Sequence, residues 1–161
     1  PDAAVDAVTA GQCWHWFDGP AALAEIRRVL RPDGRLAICH FDWLPIGDNV
    51  VAATEALILA HNPDWPGAGG HGFYPPWASA VAAAGFGAIE TFSFDVDQVY
   101  SHAGWRGRVR ASAGIGGSLG DDAVAAFDAE HGALLTARYP DDPLSVPHRC
   151  WALVCRPPAA T

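Results

Sequence analysis

AVDAVTAGQCWHWFDGP, residues 4–20, continues directly into AALAEIRRVLRPDGRLAICHFDW, residues 21–43, and this stretch decides the fold. Residues 4–10 are short, apolar and partly β-branched, and they run into Gly11, as expected of a buried strand that ends abruptly. Asp18-Gly19-Pro20 then supplies a capping carboxylate and a proline for a first helical turn. Leu23, Ile26, Val29 and Leu30 recur at helical spacing, so an amphipathic helix follows. Arg27, Arg28 and Arg31 suit the negative end of its dipole, and Pro32-Asp33-Gly34 is a turn signal. RLAICHF, residues 35–41, is apolar without clean alternation, the pattern of a parallel strand covered on both faces. Strand, helix, turn and strand in this order form a βαβ unit with parallel strands and a right-handed crossover.

Working outward, residues 49–60 have helical composition and residues 62–76 read as a loop rich in proline and glycine. Residues 77–84 form an alanine-rich helix closed by Gly85, and IETFSFDV, residues 89–96, alternates like a half-buried strand. Asp121-Asp122 caps a helix in which Val124, Phe127, His131, Leu134 and Leu135 share a face before Pro140. HRCWALVCR, residues 148–156, closes as a strand, and Pro157 to Thr161 read as a frayed tail. The glycines of residues 113–120 lack the strand before them and the lysine after them that a phosphate loop needs, and they read as a flexible connection. In WRGRVR, residues 105–110, the alternating arginines are expected on different helix faces, with one of them free to meet a substrate carboxylate.

Half of the 161 residues are hydrophobic and 17% are charged, enough apolar surface for one ordinary domain. A formal charge of −8 excludes the basic surface that nucleic acid requires. No apolar run reaches the roughly 20 residues of a membrane helix, and the first residues lack a basic leader, so the expected setting is soluble and cytoplasmic. The four cysteines, Cys13, Cys39, Cys150 and Cys155, sit in apolar runs and are expected as buried free thiols. With no methionine even at position 1, the chain is expected to be a fragment lacking residues upstream.

Ligands of open α/β sheets bind outside the carboxyl ends of the parallel strands. Two such ends are Ala10-Gly11-Gln12 with Cys13 to Phe17, and His40-Phe41-Asp42-Trp43. If the strands are neighbours, both loops share one mouth. Three aromatics there suit either a core or a pocket wall. His15 or His40 is a candidate general base, because imidazole titrates near neutrality, and Asp42 a candidate for orienting a ligand. A metal site from Cys13, His15, Cys39 and His40 is disfavoured, because adjacent strand residues point to opposite faces and no paired-ligand motif is present.

AVDAVTAGQCWHWFD followed by ALAEIRRVLRPDGRLAICHFDW resembles the second half of the class I S-adenosylmethionine-dependent methyltransferase core, of the ubiquinone/menaquinone-biosynthesis and trans-aconitate type. The family phrase L-R-P-x-G stands here as Leu30-Arg31-Pro32-Asp33-Gly34. The resemblance implies an α/β fold: a partial Rossmann-like, doubly wound sheet of parallel strands with a C-terminal antiparallel hairpin. It implies a single domain over residues 1–161, with strands near 4–10, 35–41, 88–96 and 148–156 and a substrate cover over 97–147. It implies S-adenosylmethionine as cofactor, held by Ala10, Gly11, Gln12 and Trp16, a small-molecule methyl acceptor near Asp42 and Trp43, and His15 and His40 as catalytic candidates. The family's acidic and glycine-rich cofactor motif lies upstream of the matched region, so a chain starting at Pro1 is expected to bind the cofactor poorly and to expose a strand edge.

Overall fold

The computed structural model describes residues 1–158; the tail expected over Pro157 to Thr161 falls mostly outside the described residues. The elements are β1 (Val5–Gly11), α1 (Gly19–Val29), β2 (Leu30–Trp43), α2 (Val50–His61), α3 (Pro75–Ala83), β3 (Gly87–Tyr100), α4 (His102–Arg110), α5 (Asp121–Arg138) and β4 (Leu144–Arg156). The chain divides into two compact units. The first holds residues 1–41, 72–94 and those from 149 onward, and the second holds 42–71 and 95–148.

In the first unit the strands lie in the order β1-β2-β4-β3, and β1 pairs parallel to β2 as the βαβ reading expects. The Asp18 carboxylate caps α1 by accepting from the Ala21 N–H at 3.1 Å, and proline stands in the first turn. Leu23 and Ile26 of α1, Val81 of α3, and Leu36, Ile38 and Leu153 of the sheet form one core. Burying each such side chain contributes about 1.5–3 kcal/mol, so this layer dominates the unit's stability.

Three expectations are corrected here. Residues 31–34 do not separate helix from strand; they lie within β2 as a bulge. The register passes from Val5↔Leu30 to Ala7↔Arg35, so extra residues stand on β2. Gly34 fits there because a Cβ would meet the Arg31 carbonyl oxygen at 3.0 Å and that of Asp6 at 3.1 Å. Second, β2 is packed on one face only. Leu36, Ile38 and His40 are buried, whereas Ala37 and Phe41 are half-buried and Cys39 is exposed, because α1 and α3 supply apolar side chains to a single face. Third, β3 is not half-buried. It is an edge strand, and Phe92 and Phe94 are 55% and 53% exposed. The thiols follow suit: all four are free, but Cys155 alone is fully buried, which pushes its pKa up to about 11.

The second unit packs Val51 and Ile58 of α2, Trp105 and Val109 of α4, and Phe127 and Leu135 of α5. Asn49 caps α2 by accepting from the Ala52 N–H at 2.9 Å. On α5 the cap residue is Gly120, with Asp121 and Asp122 inside the first turn, where their charge faces the positive end of the dipole. Residues 113–120 are a packed turn, not a flexible connection. Ile115 is fully buried, the Gly116 N–H donates to the Arg110 carbonyl at 3.0 Å, and a Cβ on Gly116 would stand 2.3 Å from that oxygen. The arginines are also corrected. Arg106 and Arg110, one helical turn apart, converge on Asp128, and Arg108 lies over the Trp43 ring. In the first unit, α3 begins at Pro75, earlier than residue 77, since prolines fit a helix's first turn. Among the described residues no helix is long and apolar enough to cross a membrane.

Candidate functional site

At the carboxyl end of β1 the backbone turns sharply. Gln12 adopts φ +55°, and its N–H donates to the Cys39 carbonyl at 2.9 Å. Its side-chain amide then binds the Phe41 backbone twice, donating to the carbonyl at 3.1 Å and accepting from the N–H at 2.7 Å. The two strand ends expected to share a mouth are therefore fastened together, and the Gln12 amide is committed to that task.

Beyond Gln12, residues 14–16 make one 3-10 turn. It sorts the aromatics. Trp14 turns inward and is 4% exposed, packing edge-on to Phe17 at 5.9 Å, while Trp16 is 69% exposed. The cluster is thus part core and part wall. His15 lies 4.7 Å from Trp16 and 5.4 Å from His40 between ring centroids, so both expected imidazoles meet.

His40 is buried against an aromatic group that the sequence reading missed. Tyr74 and Trp77 lie 4.6 Å and 4.9 Å from its ring and stack on each other at 3.9 Å, with Trp151 edge-on to both. The signal was the FYPPW segment, residues 73–77, whose prolines open α3 beside two aromatics. On the less covered face, Gly11, Gln12, Cys39, Phe41, Phe92 and Cys150 line an apolar cavity of about 410 Å³, within the range of small-ligand pockets. Burial holds the Cys150 thiol above the usual range, which keeps it protonated and a poor nucleophile.

Asp42 and Trp43 belong to the second unit. There the Trp43 indole N–H donates to the Glu55 carboxylate at 2.8 Å, its ring meets Trp105 at 5.3 Å, and the Arg108 guanidinium sits 5.0 Å above it. Trp43 is thereby a fixed wall. Among the described residues no three histidine, cysteine or acidic side chains gather as a metal site.

Residues 1–38 match the family model described as a methyltransferase domain. An uncharacterised methyltransferase of Schizosaccharomyces pombe is 57% identical over 54 residues, 34% of this chain and 20% of that protein. A methyltransferase-like protein of the same yeast is 31% identical over 96 residues, 58% of this chain and 34% of its own. The matched stretches thus span a fifth to a third of these relatives' lengths. A solved structure named for a type II methyltransferase of Anaeromyxobacter dehalogenans superposes with TM-score 0.59 at 21% identity, covering 99% of this chain and 68% of its own. One from Bacillus halodurans, also named as a methyltransferase, gives 0.53 at 16%, covering 98% and 66%. Residues 1–38 thus carry the pattern of a methyltransferase domain, and the chain as a whole has the fold of these solved methyltransferase structures.

Proposed function

We propose that the full-length protein to which this chain belongs transfers a methyl group from S-adenosylmethionine to a small-molecule acceptor, with Ala10, Gly11, Gln12 and Trp16 on the cofactor side and His15 and His40 beside the reacting atoms. The observation that carries it is the open end of β1. Among the described residues nothing lies within 4 Å of where a Cβ on Gly11 would stand; His15 and Trp16 follow at once, and the His40 ring of β2 lies 5.4 Å from that of His15. These residues fit the methionine end of the cofactor. Gly11 leaves backbone open to close approach, and the exposed indole of Trp16 offers an aromatic face to a cationic sulfur, an interaction of about 0.5–2 kcal/mol. Gln12 acts by fixing the loop, since its amide is held by Phe41.

When bound, S-adenosylmethionine supplies an electrophilic methyl on a sulfonium. The protein's task is positioning in a site lined by aromatics. For a hydroxyl or amine acceptor, the exposed His15 takes the proton released as the new bond to carbon forms and passes it to water, with His40 packed behind it. Asp42 and Trp43 are the proposed acceptor contacts, Trp43 as the rigid surface its bond to Glu55 makes it.

Calorimetry with S-adenosylmethionine and S-adenosylhomocysteine on the full-length protein tests the reading, and absence of binding by both refutes it. Trp16→Ala should weaken cofactor affinity roughly 2- to 30-fold, the equivalent of one aromatic–cation contact; an unchanged affinity removes Trp16 from the site.

A second reading is an interaction module that uses a sheet edge. β1 stands at the end of the strand order, and most of its residues are exposed. Size-exclusion chromatography separates the two: a concentration-independent monomer opposes the edge reading, and a specific oligomer favours it.

A further inference from the structure

In the second unit three helices meet at one buried polar cluster. Thr54 of α2, Trp105 of α4 and His131 of α5 are each fully buried. The Thr54 hydroxyl donates to the Val50 carbonyl at 2.7 Å and so has spent its only proton. Its oxygen accepts from the Trp105 indole N–H at 3.2 Å and lies 3.1 Å from His131 Nε2. With the hydroxyl proton committed to Val50, the bond to His131 forms only if Nε2 carries the hydrogen. Nδ1 is then a bare lone pair, and among the described residues it has no hydrogen-bond partner in its buried position.

We infer that His131 is held as the Nε2–H tautomer, that its neutrality keeps α2, α4 and α5 together, and that a proton added at Nδ1 releases this helical core. The proton arrives from water at the Nδ1 lone pair; no other bond breaks in the ring, and the product is a buried imidazolium.

The surrounding charges do not welcome that cation. Asp128, one turn earlier on α5, attracts it, but its carboxylate is held by Arg106 at 2.5 and 3.0 Å and by Arg110 at 2.5 Å, and both guanidinium groups repel an imidazolium. His102 on α4 adds repulsion once protonated. On α2, Glu55 is engaged with Trp43 and the Gly69 N–H, and His61 is paired with Glu130 of α5. Burial adds the largest part, and together these push the His131 pKa down to about 4. A pKa lowered in the folded state means that the stability is present above the unfolded value of 6.5 and is lost as pH falls toward 4.

Long-range nitrogen–proton NMR on the whole protein tests both halves. The expected tautomer is Nε2–H at pH 7, and finding Nδ1–H overturns the inference. Amide exchange of α5 followed from pH 7 to 4, corrected for intrinsic rates, should lose protection by roughly 100-fold, the part of the difference between 6.5 and about 4 that is realised by pH 4. His131→Phe, which keeps a ring in the space, should remove most of this loss, while His148→Phe, at an imidazole that burial also holds below its ordinary value, should remove the smaller part. Loss undiminished in His131→Phe, or vanishing only in His148→Phe, overturns the proposal. Where His131→Phe does not fold, the wild-type titration decides: His131 titrating near 6.5 with α5 still protected refutes the latch.

Discussion

Gln12 combines a left-handed backbone with a doubly bonded side chain, and the two effects respond differently to substitution. Gln12→Ala removes the bonds of 3.1 and 2.7 Å to Phe41 and keeps a Cβ at φ +55°. Each bond is worth about 0.5–1.5 kcal/mol net, at the low end here because the position is exposed and water replaces the amide. Part of that loss is offset by the rotamer freedom a glutamine gives up when held. The expected cost is therefore about 1 kcal/mol. Gln12→Gly loses the same bonds but also sheds the left-handed penalty of about 1 kcal/mol that any L-residue carries. Its net effect should be near zero. In urea, with a slope of about 2 kcal/mol/M, the alanine variant should melt about 0.5 M earlier and the glycine variant within about 0.2 M of wild type. Glycine is ordinarily the more damaging choice in ordered backbone. A glycine variant less stable than the alanine variant refutes the account of Gln12 as a strained clasp.

Two further outcomes follow from the second unit. Gly116→Ala places a methyl 2.3 Å from the Arg110 carbonyl, so the 113–120 turn must open; a loss of about 2–3 kcal/mol in thermal or urea melts is expected, and a wild-type melt contradicts the packed turn. Asp128→Asn leaves Arg106 and Arg110 side by side without their counter-charge and should destabilise by about 1–2 kcal/mol at low salt, less at high salt because the group is partly exposed; a salt-independent effect argues against the ion-pair account.

Up to residue 30 the chain was legible because each local signal agreed with its neighbour, and so was the parallel pairing of β1 with β2, but the bulge at 31–34 and the single covered face of β2 were not. Asp18 caps, Pro20 opens, Leu23 and Ile26 pack, and β1 and β2 lie parallel. Phe92 and Phe94 misled because alternation announces a strand but not its neighbours; at a sheet edge nothing is there to cover them. The glycines near 116 read as loose because composition cannot tell glycine chosen for freedom from glycine chosen for lack of room. Of the candidate site, Gln12 and His15 were visible as residues that follow a strand, and His40 as one near a strand's carboxyl end. Tyr74, Trp77 and Trp151 were not, since they reach His40 only through tertiary packing across long stretches of chain. Arg106 and Arg110 were misread by counting alternate positions where a turn of helix, four residues, sets who meets whom.

The bulge at residues 31–34 has a consequence for how this chain tolerates change. Val5 and Ala7 point to the same side of β1, yet their partners Leu30 and Arg35 differ in phase: Leu30 is buried and Arg35 is not. The loop therefore acts as a phase shifter, resetting the inward–outward beat of β2 after the helix has delivered it. A one-residue deletion within Arg31-Pro32-Asp33 need not invert the strand beyond it, whereas the same deletion after Arg35 would turn Ile38 outward and His40 with it. The segment Leu30-Arg31-Pro32-Asp33-Gly34 then serves as a metronome for the strand that carries His40.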